Sequence, residues 1–282
     1  MTAMHVRVYD LTDSHDERKH TMKRREFLTI TGAAGLWPMA GAMAAGSETA
    51  GGQPDYYQLQ LYHLDSDDQR QGFDAFARQA AIPALNRLGI SPVGVFYPQT
   101  ELSPVYVLLR HPSLQSAATL VQQLAGDEQF LQDGAAFLDA PADKPAFRRV
   151  ESSLLIAFRG LPKLETPVKS AGRICQLRIY ESPSVKTGQK KIEMFNDAGE
   201  IEIFRRVGLS PVFFGETLIG GKMPNLTYML AFESEEAMKA AWKKFGADPD
   251  WQRLRGMDEY ADRNILSNIT NLVLKPAEYS QI

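Results

Sequence analysis

An α+β fold of two successive strand-helix-strand-strand-helix-strand units is the class this sequence predicts, on three observations. Runs with the period-two alternation of strands are interleaved with segments of helical spacing. Four motifs recur in the same order. Gln58-Leu59-Gln60-Leu61-Tyr62 returns as Gln176-Leu177-Arg178-Ile179-Tyr180, and Leu88-Gly89-Ile90-Ser91-Pro92-Val93 as Val207-Gly208-Leu209-Ser210-Pro211-Val212. Tyr106-Val107-Leu108 returns as Tyr228-Met229-Leu230, and Asp127 with Phe130 as Asp248 with Trp251. The offsets of 118, 119, 122 and 121 residues are nearly constant, which marks an internal repeat. The length of 282 residues, 44% of them apolar and 23% charged, suits two domains of modest size.

Residues 1–44 read as a leader. Lys23-Arg24-Arg25-Glu26-Phe27-Leu28 resembles the twin-arginine export motif, with Arg24 and Arg25 as the pair and Phe27 and Leu28 behind it. A weakly apolar stretch from Thr29 to Met39 and the small residues Ala42-Met43-Ala44 complete an export signal with a cleavage site. Met22, directly before the motif, is a natural initiator, and residues 1–21 are polar and patternless. The expected location is periplasmic or otherwise extracytoplasmic, and residues 45–54 read as a flexible linker.

In the first unit, residues 55–160, Tyr56–Tyr62 alternates as a strand. Phe73, Phe76, Ala80, Ala84 and Leu88 keep helical spacing, which Pro83 should kink or interrupt and Gly89 should end. Pro92–Tyr97 and Val105–Arg110 read as a hairpin. Leu114, Ala117, Ala118, Val121, Leu124 and Ala125 make an amphipathic stripe, and Leu154–Phe158 a final strand. A linker with two prolines, residues 161–172, leads to the second unit, residues 173–282. That unit reads as strands near 173–180, 211–217, 226–232 and 268–275, with helices near 186–207 and 234–245. A further helix runs from Pro249 to about Asn264, with Asp248 as its cap, Pro249 in its first turn and Trp251 anchoring it.

This order is the split βαβ, or ferredoxin-like, arrangement: a four-stranded antiparallel sheet with helices on one face. The bare sheet face must be covered, and two such units packed face to face as a dimeric α/β barrel would cover it. The sequence therefore predicts an intramolecular pseudo-dimer, with pairing between two chains of a homodimer as the other arrangement.

Composition excludes several function classes. The formal charge is −3 with acids and bases mixed, so there is no basic patch for nucleic acid. Beyond the leader no apolar run reaches the length of a membrane span. Cys175 is the single cysteine, so no internal disulfide forms. Two histidines outside the leader and one cysteine, without ligand spacing, give no zinc site, and no pattern names a cofactor. Gly220-Gly221-Lys222 lies between strands, so it is no phosphate loop.

The second unit resembles the NIPSNAP family in four ordered elements. These are the strand Cys175–Tyr180 ending in Arg-x-Tyr, Gly188-Gln189-Lys190 before the first helix, the turn Gly208–Val212, and Asp248-Pro249-Asp250-Trp251. The first unit departs from that pattern: Gln60 stands where Arg178 does, the Asp-Pro pair is missing, and Phe130 replaces the tryptophan. The resemblance implies the barrel fold and a role in binding or interaction, and it brings no catalytic residue. The wider superfamily also holds monooxygenases of antibiotic biosynthesis and haem-degrading enzymes.

Alternation supplies the candidate site. Tyr57, Leu59 and Leu61, with Cys175, Leu177 and Ile179, are expected to pack on helices. Gln58, Gln60 and Tyr62, with Gln176, Arg178 and Tyr180, are then expected to point into the barrel, either as a satisfied polar network or as the lining of a ligand pocket. Arg178 is the leading ligand contact, because its guanidinium can hold a carboxylate in a two-pronged bond. His63 and His111 each follow a strand and would share a site if those strands are neighbours. Two readings result: an exported protein that binds a small molecule or a protein partner, or a monooxygenase-like or haem-handling enzyme acting inside the barrel.

Overall fold

The computed structural model describes residues 53–282. The export motif at Arg24, Arg25, Phe27 and Leu28 and the cleavage site at 42–44 lie outside the described residues. The first half runs β1 (Tyr56–His63), α1 (Asp67–Phe76), a π-helical turn (Ala77–Ala81), α2 (Ile82–Arg87), β2 (Val93–Pro98) and β3 (Val105–His111). It continues through α3 (Leu114–Ala125) and α4 (Glu128–Leu138) to β4 (Arg149–Ala157). The second half runs β5 (Ile174–Glu181), α5 (Val185–Asn196), α6 (Glu200–Val207), β6 (Ser210–Ile219) and β7 (Asn225–Phe232). It ends with α7 (Glu235–Ala247), α8 (Pro249–Arg255), a 3₁₀ turn (Asp258–Tyr260), α9 (Asp262–Ile265) and β8 (Asn268–Pro276).

Four strands hand over to their helices by one device. Ser66, Ser113, Ser184 and Ser234 each accept a hydrogen bond from the backbone N–H three residues on, which satisfies a donor that the first helical turn leaves free. Asp127 and Asp248 cap α4 and α8 in the same manner, each also held at 2.6 Å by an arginine at the end of an earlier helix, Arg87 and Arg206.

The eight strands close into one antiparallel ring in the order β4-β1-β3-β2-β8-β5-β7-β6. Each half contributes a block of the same order, the ferredoxin-like sheet. The halves form the pseudo-dimeric barrel that the sequence suggested, their inner faces sharing one interior, and they join edge to edge through hydrogen-bonded seams, β2 to β8 and β4 to β6. Beyond the end of β8, Ala277 N–H and Gln281 N–H donate to Val95 O and Val93 O, while Gln281 Oε1 and Ser280 Oγ accept from the backbone N–H groups of Val93 and Val95. The free edge of β2 is thus satisfied.

Inside the ring is a packed core from both halves. Tyr57, Leu59, Leu108 and Leu155 meet Cys175, Leu177, Phe213 and Met229 there, all of them buried. This reverses the expected facing. Tyr57, Leu59, Cys175 and Leu177 point into the barrel, whereas Tyr62 and Tyr180 pack with the helices. Alternation shows that a strand has two faces, but in a closed barrel both are covered. The more uniformly apolar face goes inside, where no helix end or water can satisfy a polar side chain.

Other expectations need correction. The helix near 186–207 is broken at Gly199, which takes a left-handed φ of 92°. Gly188-Gln189-Lys190 lies within α5, not before it. The helix expected over 249–264 is three short pieces, and α4 is a helix that the first-unit pattern had not resolved. Pro83 does interrupt its helix: ahead of it Ile82 N–H reaches back five residues to Ala77 O, forming the π turn. Tyr106 and Tyr228 are not equivalent. Gln60 pairs with Val107, and Arg178 with Tyr228, so Val107 is the counterpart of Tyr228. Tyr106 is one residue out of step and points into the barrel.

Buried Asp55 pins the segment between the halves. It accepts from Arg110 Nη2 (2.8 Å), Lys163 Nζ (3.0 Å) and Leu164 N–H (3.1 Å), while its backbone bonds to Pro162 and Ala157. Burial pushes its pKa up, but the bonds from Arg110, Lys163 and Leu164 outweigh burial and hold it below the usual value. Asp55→Ala should cost about 2–3 kcal/mol by leaving a half-buried arginine without its acceptor. Because the folded pKa is depressed, this contribution is complete above the ordinary aspartate pKa and is lost as pH falls through the folded one. Urea denaturation from pH 7 to pH 3 should show a shallower acid loss in Asp55→Asn than in the wild type.

Candidate functional site

The two helix-covered sheet faces, built to one plan, are filled differently. In the second half Tyr228 and Phe214 pair across β7 and β6, and Arg178 pairs with Tyr228 across β5 and β7. The Tyr228 and Tyr180 hydroxyls bond at 2.9 Å, and Phe195, Phe204 and Phe214 pack against the Tyr228 ring at centroid distances of 5.2–5.9 Å. Under α5 and α6 lies a buried ion pair, Lys191 Nζ to Glu200 Oε2 at 3.2 Å, with Asp262 Oδ1 at 3.8 Å from the same nitrogen. Burial pushes the Glu200 carboxyl up, while Glu200 and its neighbours hold Lys191 charged against burial. Gln176 is fully engaged: its amide donates to Asn271 (2.8 Å) and accepts from Trp242 Nε1 (2.6 Å).

In the first half, the counterparts of Arg178, Tyr228 and Phe214 are Gln60, Val107 and Val95, paired in the same register. The missing aromatic volume is left as a cavity of about 300 Å³ between the sheet and α1 to α4. Gln58, Gln60 and Tyr62 line it from β1, and Val95 and Val107 from β2 and β3. Phe73, Phe76, Phe130, Phe137 and Phe147 supply aromatic walls, with Phe76 and Phe137 stacked at 4.2 Å and 8°. The π turn carries Ala77 and Ala81 over it. Ala117, Leu120, Val121 and Leu124 of α3 face it, so the stripe expected on that helix borders a cavity instead of closing a core, and Leu120 alone is fully buried. Val121, Leu138 and Val150, which also line the cavity, are 81%, 40% and 36% exposed, so it reaches the surface through an apolar rim.

Among the described residues no charged one lines this cavity. Its polar groups are the Gln58 and Gln60 amides and the Tyr62 hydroxyl, which burial pushes up to about 12 and so keeps protonated. Gln58 is fixed in orientation. Its Nε2 donates to Ser152 Oγ (2.9 Å), leaving its oxygen to accept from His111 Nε2 (3.2 Å), while Ser116 Oγ lies 3.1 Å from His111 Nδ1. Gln60 bonds to no other described side chain.

The expected site residues therefore fall into three places. Gln60 and Tyr62 share the first-half cavity. Gln176, Arg178 and Tyr180 occupy the matching layer of the second half, not a common barrel pocket. His63 and His111 lie on neighbouring strands but do not meet: His111 pairs with Tyr56, at the other end of β1 from His63, about 24 Å away by strand rise. His63 Nε2 sits 3.1 Å from Glu151 Oε1. Val95 and Val107 were overlooked because what they contribute is small size. The signal was present as the 121-residue offset, which sets Val107 against Tyr228. Among the described residues no group of three His, Cys, Asp or Glu side chains is placed to hold a metal ion, and no helix is long and apolar enough to cross a membrane.

Residues 175–281 match the NIPSNAP family model, so the second half carries a NIPSNAP domain. No curated protein sequence matches the chain. Among solved structures, a monooxygenase-like protein from Lactobacillus acidophilus NCFM aligns with 79% of this chain and 94% of its own, at 7% identity and a TM-score of 0.54. Another from Fusobacterium nucleatum aligns with 79% of this chain and 93% of its own, at 5% identity and a TM-score of 0.53. These two likenesses are of fold alone. A NIPSNAP-like domain protein from Burkholderia xenovorans covers 39% of this chain and 90% of its own, at 21% identity and a TM-score of 0.34.

His111 should act as a pH-dependent fastener of this site. Burial, then the nearby Arg110 charge, pull its pKa down to about 4, so it is neutral in the fold. Between that value and the ordinary histidine pKa the unfolded chain binds the extra proton, so stability is complete above about pH 6.5 and declines toward pH 4. Ring resonances followed by NMR should show His111 titrating near the bottom of that window, and His111→Asn should flatten this part of the stability profile.

Proposed function

We propose that this is an exported binding protein that holds a small, uncharged, largely apolar molecule in the first-half cavity. In this reading the units are diverged copies, and the NIPSNAP half serves as the packed partner that completes the barrel. The observation that carries it is the pair Val95 and Val107, where the other half holds Phe214 and Tyr228. The volume is at the lower end of the ~300–1,000 Å³ typical of ligand pockets, and the lining has their usual character, apolar walls with a few polar groups. A ligand charge would be buried there without a partner, at a cost of several kcal/mol, which selects for neutral molecules. Gln60 and Tyr62 can bond one polar group of the ligand and so orient it. Extracytoplasmic placement rests on the Arg24-Arg25 motif. The binding reading is favoured over chemistry inside the barrel because Tyr57, Leu177, Phe213 and Met229 are buried together there.

The test is titration of the full chain with the neutral fluorophore N-phenyl-1-naphthylamine. Saturable enhancement is expected. It should weaken at least tenfold in Val95→Phe/Val107→Tyr, which installs the second half's residues, with the melting temperature unchanged or raised. The new hydroxyl would find Tyr62 as Tyr228 finds Tyr180. Undiminished binding in that variant, or no saturable binding in the wild type, would overturn the assignment.

A further inference from the structure

The second half has no counterpart of the first-half cavity at Tyr228, but it carries a charge that the first half lacks. Arg178 extends from the helix-facing side of β5 near two rings, its guanidinium carbon 4.8 Å from the Trp242 centroid and 5.3 Å from that of Tyr180. Its Nε is buried without an acceptor, and among the described residues no carboxylate lies within ion-pair distance of it. The surrounding acceptors are already engaged. Glu200 and Asp262 lie against Lys191, Asp248 and Asp250 hold Arg206, and the Gln176 oxygen takes the Trp242 N–H. Arg173, directly before β5, also has a buried Nε without an acceptor, but its two Nη atoms donate to Ser170 O, Ser280 O and Ile282 O, whereas no hydrogen bond to another described residue receives the Arg178 side chain.

A guanidinium taken partly out of water needs an acceptor of matching geometry, because burying it unpaired costs far more than burying a neutral group. We infer that Arg178 is the docking point for a monocarboxylate, distinct from the neutral-ligand cavity of the first half. The residue as a whole is only half-buried, so solvent reaches the end of its fork. The rings of Trp242 and Tyr180 beside the guanidinium restrict its freedom, which suits the two parallel N–H···O bonds of a carboxylate. A doubly charged phosphate would call for a second free cation, and Lys191 is held by Glu200. At the matching position of the first half stands Gln60, so the two halves differ in the ligand charge they accept.

Trp242 provides the readout, since its indole N–H is hydrogen-bonded and its ring lies against the guanidinium. In a benzoate titration of the full chain followed by NMR, the Trp242 indole N–H signal should shift saturably. Benzyl alcohol, the neutral analogue, should leave it unmoved, and phosphate should compete only weakly. Arg178→Gln should weaken benzoate at least tenfold, and Arg178→Lys, which keeps the charge without the fork, should fall between. The first-half variant Val95→Phe/Val107→Tyr should bind benzoate as the wild type does, which separates this site from the one proposed above. Benzyl alcohol shifting the Trp242 signal as strongly as benzoate, Arg178→Lys matching the wild type, or no saturation of that signal at tens of millimolar benzoate would each overturn the inference.

Discussion

Closure of the eight-stranded ring depends on two short seams. Three residue pairs join β2 to β8 and four join β4 to β6, against seven or eight for the pairings around β1 and β5 inside each half. Hydrogen bonds at so few positions cannot hold two sheets together against their own freedom of motion, since each contributes about 1 kcal/mol net. What makes closure favourable is the shared interior. Tyr57, Leu59 and Leu155 from one half and Leu177, Phe213 and Met229 from the other are buried only when the ring is complete. Neither sheet could leave that face in water, so the halves stabilise one another and the seams set register.

That constraint decides where a site can be. With the interior given to packing, the cavity of the first half lies on the other side of its sheet, under the helices. There the two halves are filled differently. One keeps Tyr228, Phe214 and Phe195 in contact and is filled; the other replaces the aromatic pair by Val95 and Val107 and is hollow. Large-to-small changes in a core normally cost several kcal/mol through the cavity they leave. The first half retains such a cavity with an apolar rim, which is a feature that packing alone would tend to remove.

Much of the fold was legible because its signals are local. Period-two alternation located the strands, and Asp127 and Asp248 stood at the starts of their helices. Gly89 and Gly208 both end a helix in the left-handed conformation at matching points of the repeat. What could not be read was which covered face lies inside, because alternation is symmetric with respect to that choice. The four serine caps were available in the sequence, although no single one stands out until the helices after β1, β3, β5 and β7 are compared. Of the candidate site, one relation was legible: Gln60, Tyr62, Arg178 and Tyr180 do lie on the same side of their strands, which the structure places under the helices. Alternation alone grouped them in one pocket in the ring, whereas the strands place them in two layers outside it, and the small size of Val95 and Val107 stands out only when the two halves are compared position by position.

The one-residue offset between Tyr106 and Tyr228 shows how sharply such a site depends on register. The two tyrosines are matched by neighbouring motif residues, yet one points into the barrel and the other under the helices. A strand slip of that size exchanges every inward side chain for an outward one. The exchange is prevented in the first half by Gln58, whose two amide ends are held by Ser152 on β4 and His111 on β3. In the correct register this half-buried amide is satisfied at both ends, and in the slipped register it would enter the apolar interior with neither partner. The fastening of β1 to its two neighbours and the polar wall of the cavity are thus one arrangement, so that whatever secures the register of this sheet also orients an amide toward the ligand space.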